Sequence, residues 1–172
     1  MSTEPRWVTP AARAGRDRDA VGRARNARPR DGLGRPLPHG APGVPVTPDD
    51  LDLPPEASLA EAQRLLDAGR PFHAHEVLEG TWKAAPEAER ELWRGLAQLA
   101  VGATHARRGN PVGAAQLLRR AADRIAAYAD EPPHEVDADG LGTWARTLAA
   151  RVEADGLAGM TPAELTPRLR AR

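Results

Sequence analysis

The stretch "RRGNPVGAAQLL", residues 107–118, carries the clearest structural signal in the chain. Gly109 is suited to end a helix because glycine readily adopts a left-handed backbone. Asn110 is a favourable N-cap for the next helix, and Pro111 is favourable as its first residue. Apolar side chains recur at helical spacing on both sides of this turn. The stretch therefore predicts a tight αα-hairpin.

A second Gly-x-Pro turn occurs in "GRPFHAHEVL", residues 69–78. Shifting the chain by forty residues aligns it with "GNPVGAAQLL" and gives six identities in twenty positions. This internal similarity predicts two stacked helical hairpins. Two units are too few for a solenoid, so a further helix is expected to cap them.

Capping residues set the remaining helix ends. We predict an all-α fold: a compact bundle of about five helices built from two αα-hairpins plus a capping helix, with the third helix central. The expected helices run from N-cap Ser58 to Gly69, Pro71 to about Ala84, Pro86 to Arg107, Pro111 to about Tyr128, and Asp137 or Asp139 to Gly156. The expected buried side chains are Trp82, Leu96, Leu99, Leu118, Ile125, Trp144 and Leu148.

Composition divides the 172 residues into three parts. Residues 1–46 hold nine Arg and four acidic residues and have few periodic apolar positions, which predicts a disordered basic leader. Residues 47–156 are expected to form the helical bundle domain. Residues 157–172 are expected to form a C-terminal tail, with a short helix starting at "TPAE", residues 161–164.

Composition also narrows the classes of function. The chain has no cysteine, which excludes disulfides and thiolate zinc sites. No apolar run approaches the roughly 20 residues that span a bilayer, and the Arg-rich start lacks an apolar signal core. We therefore expect a cytoplasmic protein with no membrane contact. The net charge of +0 gives no whole-chain attraction to polyanions.

Candidate site residues lie in "FHAHEVLEGTW", residues 72–82, and in the apolar third helix. In that helix two polar residues, Gln98 and His105, lie seven apart beside Gly95 and Gly102. Leaving them buried without partners would cost about 1–3 kcal/mol each, so the second helix is expected to supply partners. We predict one polar cleft between the second and third helices, lined by His75, Glu76, Glu79, Trp82, Gln98 and His105.

Three interpretations of this cleft remain open: a structural hydrogen-bond network, a pocket for a small molecule or protein segment, and a metal site. The metalloprotease pattern HExxH is broken, because Glu79 stands where the second His would be. No nucleophile is near in sequence, so no catalytic residue or cofactor is assigned. His73 lies about 200° around the helix from His75 and is expected to be exposed. His134 lies in a loop without a motif.

The function expected from these features is a non-catalytic binding or interaction module. One alternative is a metal-dependent, hydrolase-like enzyme that uses the same cluster. Another is an RNA-associated protein that uses the basic leader. The leader can also be a solubilising segment or a strap that lies on the domain.

The pattern F-x-x-H-E-x-x-E-x-x-W at residues 72–82, followed by "GLAQLA", His105 and the Gly109–Asn110 turn, resembles the domain-of-unknown-function 309 family. The resemblance covers roughly Glu56 to Tyr128. It implies a compact all-helical bundle in the bacterial cytoplasm, but it gives no information about activity. It also groups His75, Glu76, Glu79, Gln98 and His105 as one set.

Overall fold

The structure is a computed structural model that describes residues 28–48 and 51–171. Two 3-10 turns, Glu87–Glu89 and Pro133–Glu135, precede the third and fifth of its α-helices. No strand occurs in the described residues, so the all-α prediction is confirmed. The helices are α1 (Pro55–Asp67), α2 (Pro71–Ala84), α3 (Arg90–Arg107), α4 (Pro111–Ala126) and α5 (Ala138–Asp155).

The helices pack in chain order, with α1 against α2, α2 against α3, α3 against α4 and α4 against α5. This arrangement gives the two predicted hairpins, with α5 covering the second. Helix α3 lies between α2 and α4, and eleven of its 18 residues are buried. The prediction that the third helix is central is therefore confirmed.

The two Gly-x-Pro turns have the expected local chemistry. Gly69 and Gly109 have φ values of 72° and 77°, in the left-handed region that favours glycine. The Asn110 side chain accepts a hydrogen bond from the Gly113 amide at 3.0 Å, which satisfies a free donor of the first α4 turn. Pro71 and Pro111 are the first residues of their helices.

Helix α1 begins earlier than the sequence predicted, at Pro55, and Ser58 is not its N-cap. Proline fits the first helical position because its φ is already helical and it has no amide to satisfy. Ser58 instead lies in the helix and is buried. Its hydroxyl accepts a hydrogen bond from Thr81 Oγ1 at 2.7 Å and donates to the Leu53 carbonyl at 3.3 Å. Ser58 therefore joins α1 to α2.

The short helix predicted at residues 161–164 does not form. The capping contacts are made, since Thr161 N donates to Glu164 Oε2 at 2.8 Å, but the chain makes only a turn. Pro167 follows and cannot donate the next helical hydrogen bond. The tail then runs along α1, where Leu169 N donates to Gln63 Oε1 at 2.9 Å. The tail thus ties the end of the chain to the first helix.

The predicted core is largely confirmed, with Leu96, Leu99, Leu118, Ile125 and Leu148 buried. The other two residues expected in the core, both tryptophans, are only half-buried.

Each of these indoles keeps an edge at the surface. Trp144 Nε1 donates to the Glu164 carbonyl at 3.2 Å, and the guanidinium of Arg94 lies 5.8 Å from the centre of the Trp82 ring. Of the three tryptophans in the described residues, Trp93 is the one that is fully buried. An indole with its polar N–H at the domain edge is an ordinary outcome for this amphipathic side chain.

Two glycines bring α3 and α4 close together. A β-carbon on Gly95 would lie 2.9 Å from Ile125 Cγ1, and one on Gly102 would lie 3.0 Å from Leu118 Cγ. Both distances are shorter than ordinary carbon–carbon contacts. The stripe of α3 that carries the glycines therefore receives side chains of α4.

We predict that Gly95→Ala is about 1–2 kcal/mol less stable than Gly142→Ala, because overpacking offsets the gain in helix propensity at position 95 alone. Gly142 is the matched control, since its added β-carbon meets nothing closer than Arg146 Nη1 at 3.4 Å. Urea denaturation of both variants measures the difference. Equal stability of the two variants would show that α3 and α4 are not closely packed.

Candidate functional site

The motif of residues 72–82 lies on α2, with its apolar and polar sides separated. Ala74, Val77 and Leu78 are buried in the core, whereas Phe72 and the polar residues His75, Glu76 and Glu79 are half-buried. The motif is thus both an element of the core and a part of the domain surface.

His75 and Glu79 form a pair on this surface. His75 Nε2 lies 3.4 Å from Glu79 Oε2, and Lys83 Nζ lies 3.1 Å from Glu79 Oε1. Burial lowers the pKa of His75 below its ordinary 6.5, although the Glu79 charge acts in the opposite direction. The imidazole is therefore largely neutral at pH 7 and can either donate or accept a hydrogen bond.

Gln98 and His105 are not part of this pair, so the prediction that all four residues meet between α2 and α3 is wrong. Gln98 Oε1 accepts a hydrogen bond from Arg124 Nε at 3.1 Å, and His105 Nδ1 lies 2.8 Å from Asn110 Nδ2. Both partners belong to α4 or its N-cap.

The physical reason lies in the spacing along α3. Gly95, Gln98, Gly102 and His105 are three, four and three residues apart, so they form one stripe of the helix. The glycines on that stripe make room for α4, so the two polar residues on the same stripe also face α4.

The six predicted residues therefore divide into two groups. Four lie on α2, where Glu76 is half-buried beside His75 and Trp82 lies near the C-terminal end. The remaining two, Gln98 and His105, face α4. Within residues 28–48 and 51–171, no group of three or more His, Asp or Glu side chains is placed to hold a metal ion.

His73 is buried, with 1% of its surface exposed, so the prediction of an exposed residue is wrong. Its ring meets Phe72 edge-on at 5.6 Å between centroids. Burial lowers the pKa of His73, and the positive charges of Arg70 and Arg30 lower it further. Arg30 is distant in sequence, which shows that another part of the chain covers this side of α2.

The covering element is the N-terminal strap, defined as residues 28–48. The Leu33 carbonyl accepts a hydrogen bond from Arg108 Nε at 2.9 Å, and the Pro45 carbonyl accepts one from Arg70 Nη2 at 3.0 Å. Gly34, with φ of 73°, lies against the Phe72 ring so closely that a β-carbon would overlap it. The strap therefore crosses the start of α2.

The prediction of a disordered leader is therefore wrong for residues 28–46. These residues form a strap that lies on the domain, which was the alternative interpretation. The remainder of the predicted leader, residues 1–27, lies outside the described residues. The segment shows no apolar periodicity in its sequence because its contacts use glycine, backbone carbonyls and arginine.

Phe72 is the centre of the contact. The guanidinium carbons of Arg30 and Arg108 lie 5.1 Å and 5.7 Å from its ring centroid, within range of a cation–π interaction. Arg30 Nη1 also donates to the Gly34 carbonyl. Asp31 holds the adjacent turn, since its Oδ1 accepts hydrogen bonds from the Leu33 and Arg35 amides at 2.9 Å each.

The strap leaves some polar atoms beneath it unsatisfied. Arg70 Nε is buried and has no hydrogen-bond partner. Nδ1 of His73 and Nδ1 of His75 are buried beside backbone atoms of Gly32 and Phe72 without a well-formed hydrogen bond. An unsatisfied buried polar group costs about 1–3 kcal/mol. The strap therefore matches this surface in shape better than in hydrogen bonding.

His134 is an important residue that sequence reasoning missed. Its Nδ1 lies 3.0 Å from Glu56 Oε1, and its Nε2 lies 2.9 Å from Glu89 Oε2. Trp93 Nε1 donates to the same Glu89 oxygen at 3.1 Å. These contacts join the start of α1, the turn before α3 and the loop before α5. No local signal could reveal them, because the partners are 78 and 45 residues away.

The His134 cluster favours a charged imidazole. Burial opposes the charge, but hydrogen bonds to Glu89 and Glu56 outweigh it and raise the pKa of His134 above its ordinary value. Both ring nitrogens face carboxylates, so both donate only when the ring is protonated. The backbone of His134 has φ of 56°, an uncommon conformation that these contacts hold in place.

Fold and surface together define an all-α bundle with a partly covered polar surface on α2. Residues 59–117 match the family model described as Domain of unknown function (DUF309). This match confirms the resemblance seen in the sequence. The matched segment runs from α1 into α4 and contains the α2 motif, whereas the strap and α5 lie outside it.

No curated protein and no solved structure matches the chain. Within the described residues, no helix has the length and apolar character needed to cross a membrane.

We predict that the His134 cluster makes stability depend on pH. The pKa of His134 is raised in the folded protein, so His134 makes its full contribution to stability below the ordinary value of 6.5. That contribution is lost as pH rises through the folded pKa. The pKa of Glu89 is lowered despite its burial, because His134 and Trp93 donate hydrogen bonds to it, so its contribution is full above 4.5 and is lost on acidification.

Thermal unfolding at pH 5.5 and pH 8.5 tests this prediction. From pH 5.5 to pH 8.5, the free energy of unfolding of the wild-type protein should fall by about 1 kcal/mol more than that of His134→Asn. Asparagine is the chosen replacement because it tolerates positive φ. Parallel pH profiles for the two proteins would contradict the cluster's role.

Proposed function

We propose that this protein is a non-catalytic interaction module that binds a polypeptide segment on the α2 surface around Phe72, His75 and Glu79. One observation carries the proposal: the chain's own strap lies across the start of this surface without forming a helix, and its tight turn at residues 31–35 packs on Phe72. A surface that holds one such segment has the shape needed to hold another.

The contacts that hold the strap are of a kind that many segments can make. Arg108 and Arg70 donate to backbone carbonyls of Leu33 and Pro45, so neither bond depends on a particular side chain. The Phe72 ring requires only a glycine at the point of closest approach. Recognition of this kind favours a segment that presents a glycine in a tight turn to Phe72 and free backbone carbonyls to the two arginines.

The position of the family match supports the same function. Phe72, Arg70 and Arg108 lie within the matched residues 59–117, whereas the strap lies outside them. The binding surface is therefore part of the family domain, and its present occupant is a segment from beyond that domain.

The polar groups on α2 suit a hydrogen-bonded partner. The neutral imidazole of His75 beside Glu79, and the buried Nδ1 of His73 beneath the strap, offer hydrogen-bonding capacity that is incompletely used. A polypeptide offers amides and carbonyls at regular spacing, which supports a protein segment over a small apolar molecule.

The alternative of a metal-dependent hydrolase has less support. It requires His105 beside His75, and His105 faces α4 and contacts Asn110 instead. The further alternative of binding through the leader involves residues 1–27, which lie outside the described residues.

A synthetic, fluorescein-labelled peptide of residues 28–48 tests the proposal by fluorescence anisotropy. Gly34→Ala in the full chain places a β-carbon against Phe72 and should displace the strap. We expect this variant to bind the peptide at least about tenfold more tightly than the wild type, whose surface is already occupied.

Gly40→Ala is the matched control. Gly40 also has a positive φ, of 82°, but its β-carbon would meet nothing within 4 Å, so the variant should behave like the wild type. A peptide that itself carries Gly34→Ala should not bind. If the Gly34→Ala chain binds the peptide no better than the Gly40→Ala chain, the α2 surface is not a polypeptide-binding site.

A further inference from the structure

One end of the bundle concentrates positive charge. The arginine-rich end comprises the strap (28–48), the α1–α2 loop (68–70) and the α3–α4 loop (107–110). Within these described residues the only acidic side chain is Asp31. The arginines are Arg28, Arg30, Arg35, Arg70, Arg107 and Arg108. Net charge is zero for the whole chain, so charge is unevenly distributed over the molecule.

The three segments lie together in space. A β-carbon on Gly69 would lie 3.6 Å from Arg107 Nη1, and one on Gly32 would lie 3.9 Å from Arg70 Cγ. Arg30 and Arg108 share the Phe72 ring. The arginines are therefore neighbours and form a single surface.

The acids near these arginines are already engaged. Glu61 of α1, whose charge also acts on Arg70, forms an ion pair with Arg64 at 2.6 Å. Asp31 forms an ion pair with Arg35 at 2.6 Å and also accepts two backbone hydrogen bonds. Its charge is therefore directed at Arg35 and at the turn of the strap, and it offsets little of the charge on the other arginines.

Four of the arginines bond to neutral oxygen atoms. Arg30, Arg70 and Arg108 donate to strap carbonyls of Gly34, Pro45 and Leu33. The fourth, Arg107, donates to Thr166 Oγ1 at 2.9 Å and to the Pro162 carbonyl at 3.2 Å.

None of these four forms an ion pair with a carboxylate of residues 28–48 or 51–171. A guanidinium has five N–H donors, so each retains donors for a ligand.

The positive charge acts on a neighbouring buried group. The pKa of His73 is lowered by burial and then by the charges of Arg70 and Arg30, which outweigh the opposing charge of Asp31.

Arginines elsewhere on the domain are mostly paired. Arg119 contacts Glu153 at 2.5 Å, Arg151 contacts Glu164 at 2.9 Å and Arg168 contacts Asp67 at 3.2 Å. The lack of such pairs at the arginine-rich end is therefore a local property of that end.

We infer that the arginine-rich end binds the phosphate groups of a nucleic-acid backbone. Guanidinium forks match phosphate oxygens in geometry and charge, and several adjacent arginines suit a polymer that presents repeated phosphates. The one phenylalanine, Phe72, is already covered by the strap and two guanidiniums, so it offers no platform for stacking bases. Binding should therefore be salt-sensitive and independent of sequence.

A fluorescein-labelled 20-nucleotide poly(U) RNA tests the inference by anisotropy over a range of salt concentrations. The full-length wild-type protein should bind it, and a DNA strand of mixed sequence should bind comparably. Arg70→Gln combined with Arg108→Gln should weaken binding at least about fivefold and reduce the salt slope by roughly 0.7 for each phosphate that the protein no longer neutralises.

Two control variants separate charge from other effects. Arg120→Gln removes an exposed α4 arginine that makes no ion pair with another described residue, and it should change affinity less than about twofold. Gly34→Ala displaces the strap without removing charge and frees Arg70 and Arg108 from the strap carbonyls, so it should also retain binding. Circular dichroism confirms that each variant is folded.

Four outcomes would overturn the inference. The first is failure of the wild type to bind RNA at low salt. The second is a double variant that binds as well as Arg120→Gln, and the third is a Gly34→Ala variant that binds as weakly as the double variant. The fourth is a polyglutamate peptide that competes as strongly as RNA, which would assign the surface to acidic proteins instead. The peptide experiment with Gly34→Ala and Gly40→Ala is independent of all four.

Discussion

The close approach of α3 to α4 at Gly95 and Gly102 determines how the rest of the molecule is arranged. The two glycines admit Ile125 and Leu118, and the stripe that carries them also carries Gln98 and His105. These polar residues consequently find partners on α4 and its N-cap. Helix α2 also packs against α3, but the polar partners of Gln98 and His105 come from α4 and its N-cap. The strap covers the start of α2, at Phe72 and His73.

Most of the fold could be predicted because it depends on local chemistry. Gly109, Asn110 and Pro111 specify a helix end and a helix start within three residues, and the structure has both where expected. Predictions failed where two local signals competed. Ser58 is a good N-cap, but Pro55 starts α1 earlier and leaves Ser58 to bond with Thr81.

The candidate site was less predictable because it depends on contacts between distant residues. The sequence indicated that the α2 motif and the Gln98–His105 stripe need partners, but it did not say which neighbour each would face. The glycine spacing in α3 contained that information, since small residues on a stripe mark the face that a neighbouring helix approaches. His73 and His134 had no comparable signal, because their surroundings come from Arg30 in the strap and from Glu56 and Glu89.

The α2 surface around Phe72 holds the turn of the strap at Gly34, and the proposed function depends on this contact more than on any other. Solution NMR tests it directly, because the protein has only one phenylalanine and its ring signals are unambiguous. We expect nuclear Overhauser effects between the Phe72 ring and the α-protons of Gly34, with those protons shifted by the ring current. Absence of these effects, with Gly34 at its random-coil shift, would contradict the contact and the function proposed from it.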